Sequence, residues 1–109
     1  MSDLTNESGV LLCGHCGGEY LHRKATRHYL RNAEDSDTGA CVVTTPNDSH
    51  IARNVRVGED DGNPSLRRNG VAIEFFCESC LGRSELTIAQ HKGMTLVATR
   101  KSQRCPAAD

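Results

Sequence analysis

The sequence contains two short cysteine pairs, Cys13-Gly14-His15-Cys16 near its start and Cys77-Glu78-Ser79-Cys80 in its second half. Two residues separate the cysteines of each pair, and this spacing lets both thiolates of one tight turn face a single ion. Two such turns together supply the four ligands of a closed tetrahedral zinc site. The sequence therefore predicts one structural Zn²⁺ ion, bound by Cys13, Cys16, Cys77 and Cys80.

The chain offers little apolar material for a core. It has 109 residues, of which 37% are hydrophobic and 4% aromatic, and it contains no Trp. This composition fits one small domain with a modest core. A zinc ion that binds only the folded state contributes on the order of 10 kcal/mol to folding. We therefore expect the metal-free chain to be largely unfolded.

The segments between and after the cysteine pairs favour β-strands. Alternating apolar residues and β-rich runs bounded by turn signals predict the strands, which cover 19–32, 41–45, 51–58, 71–77, 84–90 and 94–100. The segment 19–32 also fits a helical pattern, but Gly17-Gly18 gives no good helix start, so a strand is favoured. In the last two strands, the residues expected to be buried are Leu86, Ile88, Leu96 and Val97.

The resulting fold class is mostly β: a single small zinc-ribbon-like domain with an inserted set of strands between two CxxC knuckles. We expect this domain to cover 10–100, with a flexible N-terminus at 1–9 and a flexible C-terminal tail at 101–109. No run approaches the roughly 20 apolar residues of a membrane span, and the polar, acidic start does not resemble a secretory signal. These features predict a cytoplasmic protein that makes no membrane contact, and a reducing compartment favours metal-bound cysteines over disulfides.

Several further stretches accompany the first cysteine pair in a family resemblance. Together with 13–22, the stretches 62–65, 67–70, 75–80 and 85–93 resemble small, mostly uncharacterised zinc-ribbon proteins of actinobacteria and their phages. The resemblance implies kinship and a zinc-ribbon fold, but it implies no particular activity. The segment 23–56 is where the resemblance is weakest.

The closed ligand set argues against an enzyme. Four thiolates leave no open position on the metal for water or substrate, although His15 or His22 is an alternative ligand in place of one cysteine. Cys-Gly-His-Cys also occurs in thiol-disulfide oxidoreductases, but that chemistry needs a helix start after the first cysteine. A His-Asn-His-type nuclease built around His50 needs a strand followed by a helix, whereas strands are predicted after Cys80.

The charge of the chain bears on its partner. The formal net charge is −1, and four bound thiolates with one divalent ion bring the loaded chain near −3. A chain that binds nucleic acid through bulk electrostatics is usually strongly basic, so any such contact needs a local patch. The candidate cations are Arg23, Lys24, Arg27, Arg31, Arg67, Arg68 and Lys92, of which the last three form a phosphate-sized site if their turns meet at one end of the sheet.

Two functional hypotheses follow. The first is a non-enzymatic, zinc-stabilised binding module that recognises nucleic acid or the transcription machinery. The second is a protein–protein adaptor, or a phage factor that targets a host protein. Stacking of bases on an aromatic residue would favour the first hypothesis, but only Tyr20 and Tyr29 are tyrosines and Trp is absent, so both hypotheses stay open.

Overall fold

The structure, a computed structural model, describes residues 4–101 and places six strands in one antiparallel sheet. The order across the sheet is β3-β2-β1-β4-β5-β6. The strands are β1 (Leu21–Arg31), β2 (Thr38–Thr44), β3 (Ser49–Arg56), β4 (Gly70–Cys77), β5 (Arg83–His91) and β6 (Met94–Lys101), with a short 3-10 helix at Glu59–Asp61 between β3 and β4. The prediction of a mostly β chain is confirmed.

The sheet consists of two three-stranded meanders that meet where β1 pairs with β4. Strands β1 to β3 lie between the two cysteine pairs along the chain and β4 leads into the second pair, ending at Cys77, as expected for an inserted set of strands. An arrangement specific to zinc ribbons is not shown and stays a prediction. The predicted turn between the last two strands is a hairpin in which Lys92 and Gly93 both have positive φ, 49° and 80°, the backbone required of a type I′ turn.

One face of the sheet is covered by the connection between β3 and β4, residues 57–69, and we call it the covered face. Its buried cluster consists of Tyr29, Cys41, Val43, Val57 and Ala72, and Val57 belongs to the connection itself. Asn63 and Ser65 in the same connection are also buried. The Arg31 side chain crosses to this connection and donates hydrogen bonds to the carbonyls of Ser65 and Leu66, at 2.9 and 3.0 Å.

The opposite face of the sheet, which we call the open face, is not covered by this connection. The turn of the first cysteine pair lies against one end of it, where a Cβ on Gly14 would be 3.1 Å from Thr99 Oγ1 and Ser84 is buried. The register aligns one row of side chains across all six strands on this face, in the order Ile51, Val42, His28, Val71, Ile88 and Val97. The predicted burial of Leu96 and Val97 is wrong, since they are 47% and 49% exposed. The reason is that β6 is an edge strand, while Leu86 and Ile88 one strand further in are half-buried.

The segment that precedes the first cysteine pair folds back on itself. Thr5 pairs with Leu11 in an isolated bridge, and the Leu12 amide donates to the Leu4 carbonyl at 2.8 Å. Residues 1–3 and 102–109 lie outside the described residues, so the described part of the chain includes residues 4–9 of the predicted flexible N-terminus but only residue 101 of the predicted C-terminal tail. Within 4–101, no helix has the length and apolar character needed to cross a membrane.

Candidate metal centre

The four predicted ligands come together at one end of the sheet. The sulfur atoms of Cys13, Cys16, Cys77 and Cys80 all lie within 4.8 Å of one another. The Sγ atoms of Cys13 and Cys80 are 3.7 Å apart, and those of Cys16 and Cys77 are 3.6 Å apart. These distances far exceed the roughly 2.05 Å of a disulfide bond, and all four cysteines are free thiols.

The register of the central strands explains why the two pairs meet. Leu21, at the start of β1, pairs with Cys77, at the end of β4, and the first cysteine pair precedes β1 by only a few residues. The Glu78 amide donates to the Tyr20 carbonyl at 3.1 Å, which extends this pairing beyond both strands. The β1–β4 pairing therefore holds the second cysteine pair beside the first.

The two cysteine pairs lie in turns of the same backbone form, which we call knuckles. In the first knuckle the Cys13 amide donates to the Gly18 carbonyl and the Gly17 amide donates back to the Cys13 carbonyl, at 2.9 and 3.0 Å. In the second knuckle, the Cys77 amide donates to the Gly82 carbonyl and the Leu81 amide donates back to the Cys77 carbonyl, at 3.0 and 2.9 Å. Both knuckles therefore present their sulfurs to the same point from equivalent turns.

Backbone amides point at all four sulfurs. The His15 amide donates to Cys13 Sγ at 3.3 Å, and the amides of Gly18, Ser79 and Gly82, each two residues after a cysteine, act to lower the pKa of Cys16, Cys77 and Cys80. Amide donors stabilise a thiolate relative to a thiol. This pattern favours the deprotonated sulfur that binds a metal ion.

The thiols influence one another strongly, so their pKa values move in opposite directions. The Cys80 amide, aided by that of Ser79 and against the effect of burial, lowers the pKa of Cys77 to about 6. The Gly18 amide acts to lower the pKa of Cys16, but the neighbouring Cys77 sulfur and burial outweigh it and raise that pKa to about 12. Four thiols so close together cannot all ionise without a compensating positive charge, and a divalent metal ion supplies that charge.

The donor set fits a tetrahedral metal ion. With metal–sulfur bonds of about 2.3 Å, the edge of a regular tetrahedron of sulfurs is roughly 3.8 Å, close to the 3.6 and 3.7 Å separations of the two nearest pairs. The two histidines considered as alternative ligands are engaged elsewhere. His15 Nε2 donates to the Arg83 carbonyl at 3.2 Å, and His22 Nε2 lies 3.4 Å from a carboxylate oxygen of Glu78.

The surroundings of the cysteines differ from those of the two enzyme classes considered. Cys13 and Cys16 lead into a strand, and the 3-10 helix at Glu59–Asp61 is the only helix within 4–101. No helix terminus therefore activates either thiol in that part of the chain. His50 lies in β3, which is followed by that 3-10 helix and not by an α-helix.

Two of the predicted phosphate-binding cations, Arg27 and Arg31, are buried inside the fold. The Arg27 side chain is 6% exposed and forms an ion pair with the fully buried Glu85, while its Nε donates to the Tyr29 hydroxyl at 3.0 Å. The Arg31 side chain is 2% exposed and donates to four backbone carbonyls, those of Ser36, Ser65, Leu66 and Arg68. We therefore remove both residues from the candidate nucleic-acid surface.

Arg67, Arg68 and Lys92 meet at the end of the sheet opposite the cysteines, as the sequence hypothesis required. They line a cleft of about 40 Å³ together with Gln90 and His91. Arg67 forms an ion pair with Asp35, whose pKa this hydrogen bond lowers, and Arg68 forms one with Glu34. The two carboxylates offset much of the positive charge that a phosphate would meet there.

Arg23 and Lys24 remain exposed near the metal end of the sheet. They line an open groove of about 430 Å³, whose other lining residues are Thr26, His28, Thr44, Thr45 and Pro46. Lys24 also lies over the Phe76 ring, with its nitrogen 5.8 Å from the ring centre, within the range of a cation–π contact. Of the seven proposed cations, these two are the ones whose setting best suits an anionic ligand.

A buried polar network was not predicted from the sequence. The carboxylate of Glu85, which is 0% exposed, binds Arg27 on one side and Arg100 on the other, where Arg100 Nε lies 2.6 Å from Glu85 Oε1. In the sequence, Glu85 follows Arg83 at a two-residue spacing and Arg100 precedes Lys101, and charged residues at the ends of strands usually face solvent. The burial of Glu85 becomes evident only from the strand order, which places β1, β4, β5 and β6 next to one another.

The chain was compared with models of protein families, with curated proteins and with solved structures, and none of them matches.

Proposed function

We propose that the protein is a non-enzymatic binding module whose fold is stabilised by one structural Zn²⁺ ion, held by Cys13, Cys16, Cys77 and Cys80. The observation that carries this proposal is the convergence of four sulfurs within 4.8 Å from two turns with the same hydrogen-bond pattern. A tetrahedral set of four sulfurs suits zinc or an iron–sulfur cluster. Zinc is proposed because the two CxxC knuckles have the spacing of structural zinc sites.

The role proposed for the metal is structural. Bound Zn²⁺ would supply the positive charge that keeps four adjacent thiolates ionised, and it would join the start of β1 to the β4–β5 turn. Only eight hydrophobic residues are buried among the described ones, and two of them are Cys13 and Cys77. A metal ion that ties together a core of this size contributes a large share of the folding free energy. With four protein ligands, the ion has no open position for catalysis.

Metal content tests this proposal. Protein purified under reducing conditions should contain one equivalent of zinc by elemental analysis, and substitution with Co²⁺ should give the absorption bands of tetrahedral sulfur coordination. Cys77→Ser should lose both signals, whereas the matched control Ser79→Ala, in the same knuckle, should keep them. Iron with sulfide in place of zinc, or full zinc content in Cys77→Ser, would contradict the proposal.

Of the two partner classes, the surface supports a protein more than a nucleic acid. Two of the seven candidate cations are buried and two more pair with carboxylates, as described above. The open face, in contrast, presents half-exposed apolar side chains such as Ile51 and Val97. Exposed apolar surface of this kind is typical of protein-binding sites. We therefore propose a protein-binding module and keep nucleic acid as the alternative that the experiments must exclude.

A further inference from the structure

We propose that the open face docks a segment of a partner protein that carries both apolar and acidic side chains. This inference rests on the proposed protein-binding function and specifies its surface and the chemistry of its partner. Five of the six residues in the row across the open face are aliphatic, and the row runs from one edge strand to the other. The two outermost members, Ile51 and Val97, are 51% and 49% exposed.

The contrast between the two faces supports a docking role. On the covered face, the strand positions Arg27, Tyr29, Cys41, Ala72 and Thr87 are all buried. On the open face, the aliphatic side chains at Val42, Val71, Ile73, Leu86 and Ile88 remain partly exposed. An antiparallel sheet can leave one face in water, but that face is then normally polar. A mostly aliphatic row across a sheet face is a surface that a partner would cover.

The charges on the open face select the partner chemistry. The charged residues whose strand positions align with this face are Arg23, Arg53, Arg56 and Lys101, and no aspartate or glutamate aligns with it. Arg56 pairs with Asp61 at 3.3 Å, whereas no carboxylate within 4–101 forms an ion pair with Arg23, Arg53 or Lys101. The chain as a whole has a net charge of −1, so its cations are unevenly distributed. An acidic partner is complementary to this face.

The cationic part of the open face lies on the side formed by strands β1 to β3. There Arg23 and His28 line the groove described above, and Arg53 pairs in register with Ala40 of β2. The β4–β6 side carries the aliphatic residues Val71, Ile88 and Val97. Four zinc-bound thiolates would add net negative charge near Lys101, since Lys101 aligns with Ser84 and Phe75 beside the second knuckle. The acidic side chains of the partner are therefore placed over β1–β3.

The size of the face argues for a small or transient partner. Six strands span roughly 24 Å and an eight-residue strand spans roughly 26 Å, which gives an area of roughly 600 Å². Stable complexes bury about 800 Å² on each partner. A second copy of the chain would also bring two cationic faces together with no carboxylate from the strands to pair with them. A short acidic and apolar segment fits both the area and the charge.

Two peptides and two variants test this inference. The probe is a fluorescent 18-residue helical peptide with leucines on one side and glutamates on the other, and the matched peptide has lysine at every glutamate position. Zinc-loaded protein should bind the acidic peptide at least about tenfold more tightly than the basic one, and salt should weaken this binding. Val97→Asp should weaken binding by about tenfold or more, because it introduces a charge into the apolar contact.

Leu96→Asp is the matched control. Leu96 neighbours Val97 in β6, is 47% exposed against 49%, and points to the other face because side chains alternate along a strand. We expect its peptide affinity to stay within about twofold of the wild type. Zinc content measured on each variant separates a lost docking surface from a lost metal site.

Several outcomes would overturn the inference. Equal binding of the two peptides would show that charge does not select the partner. An equal loss of peptide affinity in Val97→Asp and Leu96→Asp would show that the open face is not the docking surface. A dimer in light scattering that Val97→Asp converts to monomer would assign the face to a second copy. Binding of single-stranded RNA or of phosphatidylserine vesicles, lost in Val97→Asp while neither peptide binds, would assign it to those ligands. If the zinc content is unchanged in all these cases, the proposal of a metal site is not affected.

Discussion

Gly17 and Leu81 occupy the same position in the two knuckles. Each directly follows the second cysteine of its pair, each has a positive φ, 76° for Gly17 and 60° for Leu81, and each donates its amide to the carbonyl of the first cysteine. The left-handed backbone is therefore part of how a knuckle closes over its sulfurs. Glycine adopts it freely, whereas for leucine it costs roughly 1 kcal/mol.

The shared backbone predicts opposite effects of two substitutions. Leu81→Gly should raise the free energy of unfolding of the zinc-loaded protein by about 0.5 to 1 kcal/mol, because it relieves the strain and Leu81 is 70% exposed. Gly17→Ala should lower it by about 1 kcal/mol, although a methyl group there meets no atom within 4 Å. Urea unfolding of both variants measures the difference. Two changes of the same sign would contradict the equivalence of the knuckles.

The buried ion network on the covered face should matter more than any surface ion pair. Glu85→Gln leaves the guanidinium groups of Arg27 and Arg100 without their carboxylate, and removing one partner of a buried pair costs roughly 3 to 5 kcal/mol. Arg67→Ala breaks the exposed pair with Asp35 and should change stability much less. Thermal unfolding of the two variants measures this difference. Similar losses of stability in both would show that Glu85 is not buried as described.

Ionisation of Tyr29 should lower the free energy of unfolding at alkaline pH. Burial raises the pKa of Tyr29 above its ordinary value of 10.0, although Arg27 opposes this. A group whose pKa is raised on folding adds stability below the pKa of the unfolded chain, and this stability is lost as the pH rises through the folded value. The wild type should therefore lose stability from about pH 10 upward.

The variant Tyr29→Phe isolates that contribution. At neutral pH it should be less stable by about 1 to 2 kcal/mol, because Arg27 Nε loses the hydroxyl to which it donates. Its stability should then fall less steeply than that of the wild type above pH 10. Tyr20→Phe, at a residue that is 65% exposed, is the control and should follow the wild-type profile. Parallel alkaline profiles for wild type and Tyr29→Phe would refute this role.

The alternative of nucleic-acid binding makes a prediction that can exclude it. With Arg27 and Arg31 buried and Arg67 and Arg68 paired, we expect no binding of DNA or RNA at about 150 mM salt in anisotropy titrations. The open groove at Arg23 and Lys24 is where such binding would occur. Tight binding that the double substitution Arg23→Ala with Lys24→Ala abolishes would establish the nucleic-acid function in place of the protein-binding one.

Local signals in the sequence predicted much of this structure. The CxxC spacing identified the four sulfurs that converge, Lys92-Gly93 marked the last hairpin turn, and alternation marked β4. These features depend on a few neighbouring residues and on turn chemistry, so one sequence contains them.

What sequence reasoning missed depends on strand order. Arg27 is buried because Glu85, 58 residues away, lies two strands from it in the sheet, and no local pattern reveals that pairing. Val97 is exposed because β6 is an edge strand, which its apolar composition does not show. Arg31 resembled part of a basic patch in the sequence, but the connection at 57–69 folds over it and accepts hydrogen bonds from its side chain at Ser65, Leu66 and Arg68.

The dependence of the fold on the metal tests the central claim most directly. Far-ultraviolet circular dichroism should be followed during thermal unfolding of the zinc-loaded, reduced protein, before and after equilibration with excess chelator. Because zinc binding contributes on the order of 10 kcal/mol of folding free energy, we predict that the chelated protein loses its strand signal and its cooperative transition, and that one equivalent of zinc restores both. A chelated protein that keeps the same strand signal and the same unfolding temperature would contradict the account.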